Sequence, residues 1–455
     1  MRIVTRSVAY LAAFLASLML AIQPAAAQSV LRDAETEALL HDMATPLIAA
    51  AGLEPGNVDV ILLNDSSINA FVAGGQAIYI HSGLLNAATD VTEVQGVIAH
   101  ELGHITGGHI IRFDEGMKTA TGITILSLLL GVAAAAAGGG DAAMGILAAG
   151  QQAAMGKFLA FTRVQESSAD AAGASFLSRA GISGRGSLTF FKKLQAEEYR
   201  HGYSQDEDAG FSRTHPLTGD RIAALEEIYQ RDPAWNNPPD AALQARFERV
   251  RAKLYGYLAP ADLTLAAYPP GQNSVPARYA RAYAYHKDAR VDKALAEADA
   301  LIITAPRDPY FLELRGQILL ESGRPQEALA TLREANRLTG NQPLIATLFG
   351  HALIATENPA NYPEAQQVLK AAVARDRENP FAWYQLGVIY SNEGDMPRAR
   401  LASAEQQAME GDWRNALGSS QTAMIGLPEG SPDWIRAQDI AFQARGELER
   451  TKKRN

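Results

Sequence analysis

Residues 96–109 read GVIAHELGHITGGH, and the spacing inside this stretch decides what kind of domain surrounds it. Residues four apart on a helix lie one above the other, so His100 and His104 offer two imidazoles to one ion. Glu101 sits about 100° round the helix and reaches a water at an open coordination position. This is the HExxH arrangement, in which zinc polarises a scissile carbonyl and acidifies water while the glutamate carries the proton to the leaving amine. Working outward, Val94, Val97, Ile98, Leu102 and Ile105 fall on one side of the same helix, and Thr92 with Gln95 forms a capping-box signature at its start.

Zinc needs a third protein ligand. Gly107 matches the glycine of the longer HExxHxxGxxH motif, but the third histidine of that motif would fall on Ile110. His109 lies about 140° from His104 while the helix continues, which leaves it out. A glutamate from a later helix is the other source, and RVQESSADAAG (163–173) supplies the best candidate. Glu166 and Asp170 are one turn apart, so Glu166 can bind zinc while Asp170 accepts the ring N–H of a ligand histidine.

Upstream, residues 31–53 have helical apolar spacing, NVDVILLND (57–65) alternates as a strand, and the β-prone runs 68–72 and 77–81 flank Ala73-Gly74-Gly75 as a hairpin. Arg2 and Arg6, the uncharged apolar run from Ser7 to Ile22, and Ala25-Ala26-Ala27 have the three-part pattern of an export signal cleaved after Ala27. With no cysteine in the chain, stability must come from packed cores. Loss of Arg2 and Arg6 would take the net charge from −9 to −11, and an acidic chain without a basic run argues against nucleic acid as a partner.

Downstream, residues 231–274 are rich in Pro, Asn and Ala and read as a linker with one helix, AALQARFERVRAKLYGYL (241–258). After it, Ala282, Gly316 and Gly350 recur every 34 residues and Gly387 follows after a three-residue insertion. Ala294, Ala328, Ala365 and Ala399 mark the second helix of each unit, and Pro309, Pro343 and Pro380 punctuate the units. This is the tetratricopeptide pattern, read as about four helical pairs over 275–449, the last, from Ala404 onward, being degenerate. The expected architecture is an α+β zincin-like metallopeptidase domain (28–230) followed by an all-α solenoid.

The hairpin NAFVAGGQAIYIHSGLL, the helix GVIAHELGHITGGH, RVQESSAD and RTHPLTGDRI (213–222) occur in the order found in gluzincin metallopeptidases related to HtpX and the CAAX prenyl endopeptidase. With an export signal in front and repeats behind, the whole chain resembles the periplasmic branch of that family. The resemblance implies His100, His104 and Glu166 as zinc ligands, Glu101 as general base, Asp170 behind a ligand histidine, and His215 as a group that approaches the metal and gates activity. It also implies that an edge strand, expected at Ala77–His81, adds substrate as an extra strand.

Between Lys118 and Lys157 the only charged residue is Asp141. One membrane crossing there would put Glu166 on the wrong side of a bilayer from the histidines. Either two helices return to the same side, or 119–156 packs over the active site and touches a membrane surface; the second is expected. The function implied is cleavage of misfolded or stalled envelope and outer-membrane proteins in the periplasm, the repeats binding clients or an outer-membrane assembly machine. The alternatives are an assembly scaffold with a normally closed zinc site and an integral membrane peptidase of the HtpX type.

Overall fold

The computed structural model describes residues 29–136, 140–201, 215 and 219–454. The expected export signal, 1–27, lies outside the described residues. Helix α1 (Ala34–Ala50) is capped by Asp33, whose side chain accepts from the Thr36 N–H. Three strands follow, β1 (Asp59–Leu63), β2 (Ala70–Ala73) and β3 (Ala77–His81), in the order β1-β3-β2. β2 and β3 form the expected antiparallel hairpin, while β1 runs parallel to β3 on its other side.

The expectation that Ala77–His81 is an edge strand is therefore corrected: it is the central strand, because β1 returns from earlier in the chain to cover it. The open edges are β2, which packs beside the metal-motif helix, and β1.

After α2 (Ser82–Ala87), the motif helix α3 spans Val91–Gly107. Its cap is Asp90, which accepts from the Thr92 N–H, rather than the expected Thr92. Gly108, at φ 63°, ends the helix in the left-handed conformation that glycine adopts without a Cβ penalty. Then come α4 (His109–Ala136), α5 (Gly140–Arg179), α6 (Arg185–His201) and α7 (Gly219–Gln230). One core joins Leu39, Met43 and Leu47 of α1, Ile78 and Ile80 of β3, Val94, Val97, Ile98 and Leu102 of α3, and Phe190 and Phe191 of α6.

Helices α4 and α5 form an antiparallel hairpin whose arms pack on one another. Its base is at His109 and Gln165, and 28 residues in α4 correspond to an arm of about 40 Å. The expectation that 119–156 packs over the active site is corrected. The uncharged stretch instead turns back on itself and exposes Ile125, Leu126, Leu128, Leu129, Leu130, Met144 and Met155. Among the described residues no helix is long and apolar enough to cross a membrane.

Within 231–274 lie two helices, α8 (Ala241–Leu258) and α9 (Ala261–Ala267), where the composition predicts one. Helix α8 is no spacer. Phe247, Val250 and Leu254 enter the peptidase core, while its opposite side packs on the first repeat helix.

From Val275 to Arg454 run ten helices in five pairs, against about four predicted. They are α10 (Val275–Lys287), α11 (Val291–Thr304), α12 (Pro309–Glu321), α13 (Pro325–Leu338), α14 (Pro343–Ala355), α15 (Tyr362–Arg375), α16 (Pro380–Asn392), α17 (Met396–Met409), α18 (Trp413–Gly426) and α19 (Pro432–Arg454). The periodic glycines have a packing reason: a Cβ on Gly316 would lie 2.4 Å from Leu332, and one on Gly350 2.6 Å from Leu369. The final pair has no such glycine in register, which is why the stretch from Ala404 onward reads as a degenerate last unit in sequence.

Peptidase domain and repeats meet at a buried polar junction. Lys253 Nζ donates to Asp33 at 2.5 Å, Tyr279 Oη donates to Glu35 at 2.6 Å, and Arg249 bridges Glu35 and Asp308. Burial pushes the Glu313 carboxyl, with Oε2 lacking a hydrogen-bond partner, up to about 8.

Candidate metal centre

The centre is built where α3 and α5 touch. A Cβ on Gly103 would lie 2.5 Å from the Ala169 carbonyl oxygen, and one on Gly173 would lie 3.0 Å from the Ala99 backbone. Two glycines thus let the helix backbones approach closely, which brings Glu166 and Asp170 to the histidines. His100, His104, Glu166 and His215, all buried, each offer a ligand atom, and these atoms lie within 4.8 Å of one another. The three ligands predicted from sequence are together, and His215 has joined them.

His215 Nδ1 lies 3.1 Å from Glu166 Oε1 and 3.3 Å from His100 Nε2, while its Nε2 lies 3.6 Å from Glu101 Oε1. Asp170 is where the spacing predicts, with Oδ1 2.9 Å from His100 Nδ1. Both Glu101 carboxylate oxygens are buried without a hydrogen-bond partner among the described residues.

Two residues escaped the sequence reading. Arg221 is buried, donates to Asp170 through Nε (2.8 Å) and Nη2 (2.9 Å), and approaches Glu166 through Nη1 at 3.1 Å. His109, excluded on the premise of a continuing helix, belongs to a new helix after Gly108. Its Nδ1 lies 3.0 Å from His104 Nδ1, so the premise of a continuing helix is corrected, while His109 stays outside the group of candidate ligands. The ring rests on Gly107, where an added Cβ would lie 2.4 Å from His109 Nε2. The Gly107-Gly108 pair was the available signal: a glycine just past the last periodic residue marks a helix stop.

The electrostatics are those of a site built around a cation. Burial opposes a charged His100, but hydrogen bonds to Asp170 and Glu166 prevail and push it up to about 10. Burial, reinforced by the charges of His100 and His215, pushes His104 down to about 2. Burial raises Glu101. Burial would also raise Glu166, but hydrogen bonds with His100 and His215 outweigh it and hold that carboxyl low. With neutral imidazoles, Glu101, Glu166 and Asp170 carry three negative charges against the one positive charge of Arg221. The remaining two match a divalent ion, and a donor set of imidazole nitrogens and a carboxylate suits zinc.

The model of peptidase family M48 matches residues 31–229. These residues form an M48 peptidase domain. The beta-barrel assembly-enhancing protease of Yersinia pestis is 25% identical over 423 residues, covering 91% of this chain and 84% of that protein. Its namesake in Escherichia coli K12 is 26% identical over 412 residues, 86% and 79% of the two chains. The metalloprotease LoiP of E. coli K12 is 33% identical over 182 residues, 39% of this chain and 65% of that one. The chain is a zinc metalloendopeptidase, with its M48 domain preceding the helical repeats.

Proposed function

We propose that this peptidase acts in the periplasm on misfolded or stalled envelope and outer-membrane proteins. The carrying observation is the convergence of His100, His104 and Glu166 beside the buried Glu101 carboxylate, which accepts no hydrogen bond among the described residues. Zinc held by those three residues supplies a Lewis acid for the scissile carbonyl and acidifies water. Glu101 takes the proton of the attacking water and hands it to the leaving amine; the upward push of burial on its carboxyl suits a group that must both accept and donate.

Asp170 accepts the Nδ1–H of His100, and His109 Nδ1 accepts that of His104, so both ligand rings present Nε2 inward. Arg221 fixes the two carboxylates. Substrate adds as a strand along β2, the open edge beside the motif helix, by main-chain hydrogen bonds with little sequence selectivity.

The names of the full-length relatives support the choice of substrate and compartment. In this reading residues 1–27 are the export signal, 28–230 the peptidase domain, 231–274 the connection and 275–449 the repeats, which bind clients or outer-membrane assembly machinery. The apolar hairpin touches a membrane surface through 119–156, as its run of exposed leucines suggests.

A second reading, a scaffold whose zinc site is normally shut, is favoured by His215, which occupies the space between Glu101 and Glu166. Cleavage of an unfolded β-barrel client by wild type, Glu101→Gln and His215→Ala, with and without chelator, decides between them. The peptidase reading expects activity that Glu101→Gln and chelator abolish, and gating expects His215→Ala to be faster. Equal behaviour of wild type and Glu101→Gln would overturn the peptidase reading.

A further inference from the structure

The small sheet has two open edges, and only β2 lies beside the metal centre. Along β1, residues 29–31 already show what the other edge accepts. Leu31 N–H donates to the Leu62 carbonyl and Asn64 N–H donates to the Ser29 carbonyl, both at 2.8 Å, so residues 29–31 run antiparallel to the end of β1. The chain then turns off at Asp33 to cap α1. Strand alternation points the N–H and C=O of Val60 to the same side as the Leu62 carbonyl, and no described strand pairs with them there.

That unpaired edge opens on a groove of about 930 Å³ between β1 and the first helices of the third and fourth repeats, α14 and α16. Val60, Ile48, Leu344, Leu348 and Phe381 give it apolar walls, and Phe381 is 44% exposed. At its rim Arg32 is already committed to Glu37 and Asp376. Asp59 and Glu378 line it without an ion pair among the described residues, which leaves the groove acidic.

We propose that this groove is a second polypeptide-binding site. It takes an extended segment with apolar side chains at alternate positions and a neighbouring Lys or Arg. The segment adds antiparallel to β1, continuing the line of residues 29–31, with its apolar side chains against α14 and α16 and its basic residue beside Asp59 and Glu378. Main-chain bonds to Val60 supply affinity and the repeat wall supplies the preference for alternation. The sheet then holds one segment of a client on its repeat-facing edge while another lies along the outer edge of β2, four strand spacings or about 19 Å away. This rests on the proposed action on unfolded polypeptides and assigns the first point at which they are held.

The test uses the full chain carrying Glu101→Gln, and a fluorescein-labelled seven-residue peptide of alternating valine and threonine with lysine at its centre. Fluorescence anisotropy should report saturable binding that Phe381→Asp weakens at least tenfold. Val60→Pro, which removes the edge N–H, should weaken it similarly. Should Val60→Pro fail to fold, the absence of native cysteine allows a second approach: a single Leu348→Cys should form a disulfide with a cysteine-bearing peptide, whether or not Phe71→Cys on β2 does so as well. In the otherwise wild-type enzyme, Phe381→Asp should lower kcat/KM for an unfolded client while leaving cleavage of a short peptide unchanged. Unaltered binding in Phe381→Asp, or cross-linking confined to Phe71→Cys, overturns the proposal. Binding as expected without cleavage of any client by the wild type would instead refute the peptidase reading and leave the groove standing.

Discussion

Two buried polar clusters organise this chain, and they solve the burial of charge in opposite ways. At the junction between peptidase domain and repeats, Asp33, Glu35 and Asp308 are answered by Lys253 and Arg249, and Glu313, left without a cation of its own, is pushed toward neutrality by burial. At the metal centre three carboxylates face a single arginine and a set of imidazoles whose charges oppose one another. The junction keeps an excess of one negative charge, three carboxylates against two cations; the centre keeps an excess of two, which a dication balances. Carboxylate content alone does not separate a structural cluster from a metal site, but the count of resident cations does.

The largest effect that would break this comparison is at the junction. Lys253→Met leaves the buried Glu35 and the partly buried Asp33 without their ammonium and should cost about 3–5 kcal/mol of stability, read by denaturant unfolding. The loss should be the same with and without chelator, since Lys253 touches nothing at the metal centre. A chelator-dependent loss would mean that the two clusters are one system.

The converse perturbation is removal of the metal. With zinc a thousandfold above its Kd, stripping it should cost about 4 kcal/mol. It should add to the Lys253→Met loss within about 0.5 kcal/mol, because the clusters share no partner. Strong non-additivity in the double perturbation would sink the separation drawn above.

Within the centre, His109→Phe keeps a ring against Gly107 but removes the acceptor from His104. Zinc affinity, measured by competition with a chromophoric chelator, should fall about 10- to 100-fold, and His109→Asn should recover part of it. An unchanged affinity in His109→Phe would make His109 packing only.

How much of this was legible in sequence follows the range of the interaction that carries each feature. His100, Glu101 and His104 are read from one helical turn, and Glu166 with Asp170 from another, joined by the ligand number of zinc. The repeats are legible because Gly316 meets Leu332 and Gly350 meets Leu369, each within one helical pair. Arg221 was silent because it lies 51 residues beyond Asp170 and 55 beyond Glu166, in a segment whose spacing says nothing of either. His109 was misplaced because Gly107 was matched to a longer motif while the stop at Gly108 went unread. The centrality of β3 rests on parallel pairing with β1, which leaves no local mark, and the same holds for the burial of α8 against two neighbours.

The smallest predicted effect is the most selective for the junction. Glu313 in the folded chain is pushed up to about 8, well above the roughly 4.3 of an unperturbed glutamate. Between those values the folded state holds a proton that the unfolded state has released, so stability must fall as pH rises. The contribution is complete below about 4.3 and gone once the pH has passed through 8. Glu313→Gln is neutral throughout, so its Tm should decline less from pH 6 to pH 8.5 than that of the wild type, with the two curves diverging toward the alkaline end. The divergence should persist in chelator, because Glu313 belongs to the cluster that holds no metal. Parallel curves would show that the Glu313 carboxyl is already ionised beside Lys253. The junction would then carry four charged carboxylates against two cations, an excess of two negative charges like that of the metal centre, and the distinction between the clusters would have to rest on geometry rather than on charge.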